Sequence, residues 1–407
     1  MPHRRKASVL VIVLVTIVFA TTALLLFIER AADDLIVPIR TNDSNRLRSE
    51  AFSALDTTLA VLVDFNNVNG GLRSPAEGWN DPLTWAGYTP SVDSRTVVVS
   101  FEDESGKISL PTATQANLNN LFTYWGMSTQ DSQTMIDGLF TWMKTTYTPT
   151  SATAETVSDY QQDPIPFNSP KRSLRTWNEL ASITTVKALL FDENGNLNDL
   201  GKRFEADFSL YSFTSSNVNG GNHDVIVALG SGNSGANGNG LIDDAAVQKV
   251  LDYLAGSGST VLAGGSQSGG FFKNTTDVGT VAGVLINYNK LTTVITALRV
   301  NVTVKEGQAY FKLSAVVAPP SATGAAAGSG ATVVAVPALT GNATTTTTGS
   351  TVTAAPTAPI ALSYPFTILE LSETDQDPAL TANATTSNTT TDSFPFPAPA
   401  ASLQPSS

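Results

Sequence analysis

The chain has 407 residues, 23 Lys and Arg against 35 Asp and Glu for a net charge of −12, two histidines and no cysteine. An acidic balance without basic clusters excludes a nucleic-acid surface, which needs Lys and Arg against phosphate. The lack of cysteine excludes disulfide staples, thiol chemistry and thiolate metal sites. With only His3 and His223, a histidine-rich zinc site is excluded too, and a Ser-His-Asp arrangement would have to use His223, which no G-x-S-x-G accompanies.

Arg4, Arg5 and Lys6 form a basic head, and residues 7–28 follow without a charge. A helix over that run rises ~33 Å at about 1.5 Å per residue, against a bilayer core of ~30 Å. The positive-inside rule puts the N-terminus in the cytoplasm and everything after Arg30 outside. Leu47, Ala51, Leu55, Leu59 and Val63 recur at helical spacing, so a second, amphipathic stretch continues the helix over 33–66, with Pro38 near the join. Turn residues at 66–71 end it.

The β-branched run 96–101 predicts a strand, and 107–110 its hairpin partner across the acidic turn Glu102, Asp103 and Glu104. Helices are expected over 116–125 and 131–144, and Thr176 with Glu179 permits a capping box. A second helical group covers 218–229 and 243–254, separated by the glycine- and asparagine-rich run 230–240. Residues 294–304 and 309–317 predict two strands joined at Gly307. From 318 the composition turns to Ala, Thr, Gly and Pro, which buries too little to offset its ordering entropy. The run 364–371 predicts one more strand inside that disordered tail.

The basic head before a long apolar helix resembles the leader of type IV pilins and pseudopilins, with Ala7 and Ser8 at the cut. An uncut signal anchor, or a cut beyond Arg30, fits the same residues. Further along, Asp103, Glu104, Gly106, Lys107, Ile108 and Leu110 stand in the order of a D-E-x-G-K-I-N-L phrase. Ile136 to Trp142 is similar to a helix phrase ending on tryptophan. Tyr160, Pro164, Pro166, Phe167, Asn168, Leu174, Glu179 and Leu180 follow a Y…PY…N…L…E-L run. Asn217, Val218 and Asn219 before Val225–Leu229 resemble an N-V-N phrase. In this order the phrases resemble general secretion pathway protein K, the large minor pseudopilin of type II secretion. Departures are Ser109 for asparagine, Lys144 and Thr145 after the tryptophan helix, and Gly220, Gly221 and Asn222 for a Thr-Ala pair.

The resemblance implies an α+β fold: a long N-terminal transmembrane and amphipathic helix, a pilin-like α/β domain with a large inserted α-helical (SAM-like) domain, and a disordered tail. It implies a leader over 1–7, the N-terminal helix over 8–66, the first part of the pilin-like domain over 67–110, the insert over 111–260, its β-rich completion over 261–317, and the low-complexity tail over 318–407. It implies a non-enzymatic subunit of the bacterial inner membrane, with its main domain in the periplasm. The subunit caps the tip of a secretion pseudopilus and helps to initiate it. Its partners are the other minor pseudopilins, the major pseudopilin and prepilin peptidase, with no nucleic acid. Pilins carry a glutamate five residues into the mature chain; here that position is Ile12, which suits a subunit with none above it.

The oxygen-bearing residues Asp192, Asn194, Asn196 and Asp199 alternate as in calcium loops, but the sixth-position glycine is missing and Glu205 comes two residues too late for a bidentate ligand, so a solvated turn is the ordinary reading. The resemblance implies that pseudopilins of this kind can bind calcium, without implying which residues hold it here, so calcium is the one cofactor considered. The alternative in a different class is a membrane-anchored extracytoplasmic enzyme or carbohydrate-binding module. It would use Asp103 and Glu104 as paired acids, or Trp125, Trp142 and Trp177 as sugar platforms, although core packing is the ordinary role of such tryptophans.

Overall fold

The computed structural model describes residues 4–151, 160, 167–230, 240–257, 270–319 and 366–375, with the backbone alone for 4–10 and 31–42. One helix, α1 (Arg4–Asn69), carries the whole N-terminal region and continues through Pro38. At about 1.5 Å per residue it is roughly 100 Å long. Its two halves bury different things. Residues 11–30 are exposed throughout, whereas Leu47, Ala51, Ala54, Leu55, Leu59 and Leu62 are buried at three- and four-residue spacing.

That second half packs on a four-stranded antiparallel sheet of order β1-β6-β7-β8. The strands are β1 (Arg95–Asp103), β6 (Leu298–Glu306), β7 (Ala309–Ala318) and β8 (Thr367–Thr374). Alternation is strict in β6, where Leu298, Val300, Val302 and Val304 point inward. Phe311, Leu313, Ala315 and Val317 of β7 complete the same core. The two strands meet at Glu306 and Ala309 across a two-residue loop, and Gly307 supplies its positive φ of 59°. β8 lies three residues later than the expected 364–371 and forms the outer edge.

The hairpin expected between β1 and 107–110 is not formed. β1 pairs instead with β6, from Arg95 opposite Glu306 to Asp103 opposite Leu298. The register sets Val97, Val99 and Phe101 against Val304, Val302 and Val300, a long apolar match that 107–110 lacks. After a 3₁₀ turn over Glu104–Gly106 the chain leaves the sheet. β2 (Ile108–Ser109) then pairs in parallel with β3 (Phe208–Ser209).

Between β1 and β6 the chain builds two helical cores. The first gathers α3 (Gln115–Tyr124), α4 (Thr129–Met143), α5 (Thr184–Leu190) and α6 (Asp199–Asp207) around Phe122, Leu139, Phe204 and Phe208. The second gathers α7 (His223–Ala228), α8 (Asp244–Leu254) and α9 (Thr275–Ala282) around Val247, Tyr253 and Phe272. A short pair, β4 (Ser216–Asn217) with β5 (Leu291–Thr292), links it back to the sheet. Near the end of α1 lies the short α2 (Pro82–Trp85). N-caps fix several helix starts: Thr114, Ser128, Asn198 and Asn222 accept from the backbone of Asn117, Asp131, Gly201 and Val225. The capping box at Thr176 is not made. Trp177–Ser182 is a 3₁₀ helix, and Glu179 instead bonds Arg172, the Arg175 amide and the Trp142 indole. The tail segments 320–365 and 376–407 lie outside the described residues.

Candidate functional site

Three features carry functional information: the apolar half of α1, the clamp that holds its other half, and the ionic junction between sheet and helices. The first is Val11–Arg30, a helix long and apolar enough to cross a membrane, none of it buried by the rest of the chain. Ile12 lies within it, 60% exposed among other apolar side chains. Thr16, Thr21 and Thr22 return their hydroxyls to carbonyls three or four residues back, so no hydroxyl in this stretch needs an outside partner. Side chains of Arg4, Arg5, Lys6, Ala7 and Ser8 lie outside the described residues; their backbone is helical from Arg4.

The clamp ties α1 to the first strand. Glu50 of α1 accepts from the Tyr88 hydroxyl, the Ser91 hydroxyl and amide, and Arg95 Nη1 at 3.0 Å. Arg95 turns its Nε to Glu306 at 2.7 Å across the sheet edge. Glu50 and Arg95 are both buried. Burial alone would raise the Glu50 pKa, but the hydrogen bonds from Ser91, Tyr88 and Arg95 outweigh it and hold the carboxyl below its ordinary value.

The junction follows β1. Glu104 takes Arg299 Nη2 at 2.7 Å and the Ser209 hydroxyl at 2.9 Å, while Glu102 takes Lys107 at 2.6 Å. Glu370 of β8 accepts from the Tyr211 hydroxyl, and Glu373 receives a two-pronged bond from Arg48 of α1. So the edge strand is pinned to the helical part, the sheet and α1. Glu102, Glu104, Lys107, Tyr211, Arg299 and Glu370 border an open, charged cleft of about 600 Å³. Asp103 bonds the Ser105 hydroxyl at 2.6 Å and Asn217 Nδ2 at 2.7 Å, and burial pushes its carboxyl up to about 6. Asp103 and Glu104 thus face different partners and serve the two joints rather than one reacting centre.

Close backbone approach makes this joint possible. A Cβ on Gly220 would stand 2.4 Å from Asp103 Oδ2, and one on Gly106 would stand 2.5 Å from the Gly220 carbonyl carbon. We expect Gly220→Ala to separate β1 from the 217–220 turn and lower stability by about 1–3 kcal/mol. Chemical denaturation of wild type and variant measures it; an unchanged midpoint would refute the steric argument.

A second polar cluster joins the two helical cores. Asp224, at the start of α7, receives Arg203 Nε at 2.6 Å and Nη2 at 2.9 Å. Asp207, at the end of α6 and 2% exposed, accepts from Asn222 Nδ2. Burial first, and then the neighbouring Asp224, pushes the Asp207 carboxyl up to about 7. His223 Nδ1 lies 3.4 Å from Asp224, its Nε2 lies 3.8 Å from Asp244, and Tyr124 stacks over its ring. Sequence reasoning had no signal for this pair, because sixteen residues and two short strands separate the two acids.

The calcium candidates form a self-closed turn. Asp192 Oδ1 accepts the amides of Asn194 at 2.9 Å and Asn196 at 2.8 Å, and Phe191 bridges to Leu197. Asp199 begins α6 and lies 3.4 Å from Lys202 Nζ. With Asp192 committed to backbone amides and Asp199 beside an ammonium, this turn is not a preformed cation cage. Among the described residues no group of three or more His, Asp or Glu could hold a metal ion. The tryptophans are packing groups: Trp142 meets Tyr160 edge-on at 5.6 Å, Trp177 meets Phe204 at 6.0 Å, and Trp125 meets Phe208 at 6.1 Å.

The chain is thus an α+β protein, one long helix on an antiparallel sheet, with a large helical part placed between neighbouring strands. No family model matches it, and no curated protein matches it. Among solved structures it is similar to a chain of the GspK-GspI-GspJ complex from the type 2 secretion system of enterotoxigenic Escherichia coli. The identity is 12%, the TM-score is 0.41, and the match covers 72% of this chain and 94% of that one.

Proposed function

We propose that this chain is a minor pseudopilin of a type II secretion system, of the general secretion pathway protein K kind, and that it caps the tip of the pseudopilus without catalysing a reaction. One observation carries the reading. A single helix begins as an uncovered apolar span and ends as the core helix of a folded domain. Such a helix offers its first half to the membrane or to other helices of the same kind.

The phrases behind the resemblance also meet in space, in two pairs. Asp103 of the first phrase bonds Asn217 of the last at 2.7 Å. Trp142 of the second packs on Tyr160 and Phe167 of the third, and its indole donates to Glu179 at 3.3 Å. In this reading prepilin peptidase cuts between Ala7 and Ser8, and the companion minor pseudopilins pack their helices beside α1. Ile12 leaves the helix without the carboxylate that would attract the amine of a subunit above it. An unpaired charge at bilayer depth costs ~2.5–3.5 kcal/mol, so growth past this subunit is unfavourable.

Two measurements test this. N-terminal sequencing of the membrane-extracted protein is expected to begin at Ser8; a start at Met1 or beyond Arg30 refutes the leader. A label at Ser407 is expected at one end of assembled fibres, and regular spacing along the shaft would refute the tip position.

A further inference from the structure

A small cavity of about 90 Å³ lies where β2, the start of α3, the 213–216 segment and the turn before β5 come together. Its walls are apolar at Leu118, Leu121 and Phe213, and polar at Asn117, Ser215 and Lys290. No carboxylate lines it among the described residues. Lys290 Nζ donates to Asn117 Oδ1 at 3.0 Å. An ammonium carries three donors, and a neutral amide oxygen does not balance its charge. Desolvation, with no opposing charge, lowers the Lys290 pKa.

The lysine is also held in place. Its amide donates to the Asn287 carbonyl at 2.9 Å, and its carbonyl accepts from the Ser216 amide at 2.8 Å. A cation fixed at both backbone groups and aimed into a cavity without a counter-charge is arranged to receive one. At ~30 Å³ per water the space holds about three waters, which is room for one small oxyanion. The net charge of −12 does not prevent this, because charges beyond a Debye length of ~10 Å at 0.1 M salt are screened.

We propose that the Lys290 cavity binds a single small oxyanion, a phosphate or a carboxylate, which bridges α3 to the turn before β5. Charge-assisted hydrogen bonds to the ammonium would hold it. The bound anion would lock the first helical core onto the second. The proposal stands independently of the assembly reading above.

The test uses the full chain in detergent micelles. Titration calorimetry and thermal unfolding are run with inorganic phosphate, with acetate, and with chloride as control, at constant ionic strength. Saturable binding with a raised melting temperature is expected for phosphate, acetate or both, and whichever binds identifies the oxyanion. Lys290→Gln, which retains a donor for Asn117, is expected to weaken binding roughly tenfold or more, while Lys290→Arg retains it. Circular dichroism and a two-state melt establish that Lys290→Gln is folded. If neither anion binds the wild type, if chloride acts equally, or if Lys290→Gln binds as the wild type does, the proposal is overturned. Should Lys290→Gln not fold, the wild type decides alone through a phosphate- or acetate-dependent rise in the Lys290 ammonium pKa by NMR; an unmoved pKa overturns it.

Discussion

Arg95→Ala is expected to destabilise the domain that α1 and the sheet build by about 3–5 kcal/mol, the range for breaking one side of a buried ion pair. The side chain is 3% exposed and joins Glu50 of α1, Ser91 and Glu306 of β6. Removing it leaves Glu50 buried beside two hydroxyls with its charge uncompensated. The loss should appear as a lower urea midpoint and as earlier proteolysis between α1 and β1. Replacing both partners, as Glu50→Gln with Arg95→Met, should recover much of it, since apolar or neutral pairs of similar size often match a buried salt bridge. A double variant as unstable as Arg95→Ala would mean that packing around the arginine, not charge, sets the cost. The clamp also has a pH signature. The Glu50 pKa is held below its ordinary value of 4.5, so its contribution is present above that value and lost on acidification through the folded pKa.

Much of the scaffold was legible because its signals are local. The uncharged run 7–28, the helical spacing from Leu47 to Val63, and the β6–β7 hairpin around Gly307 each declare themselves within one element. Local logic failed where the partner was distant. The acidic turn after Phe101 reads as a hairpin, yet the better match for β1 lies about 200 residues on, at 298–306. The short α9 escaped notice because Gly279 interrupts its pattern and eight residues give little periodicity. The calcium-like alternation at 192–199 has two readings for a related reason. Asp and Asn also bond their own backbone amides, so an Asx turn and a cation loop share a spacing. Neither the Glu50–Arg95 clamp nor the Lys290 cavity had a sequence signature, since each arises from segments far apart in the chain.

The Asp207 pair makes the strongest pH prediction. Asn222, Asp224 and Arg203 surround Asp207, and Asp224 in turn meets Arg203 and His223. Asp207 is raised to about 7 from 3.8. Between those values the folded chain holds a proton that the unfolded chain has released. Stability therefore falls as pH rises from about 4 to about 7, with a slope near ~1.4 kcal/mol per pH unit for one proton, and then levels off. Asp103, raised to about 6, contributes with the same sign over a narrower window. Asp207→Asn mimics the protonated carboxyl, because its amide can donate to Asp224 where the ionised acid would repel it. Subtracting its stability profile from that of the wild type removes the Asp103 contribution. The difference should slope between pH 4 and 7, and the variant should be the more stable at pH 8. A flat difference would show that Asp207 ionises normally and that the joint between α6 and α7 is indifferent to its charge.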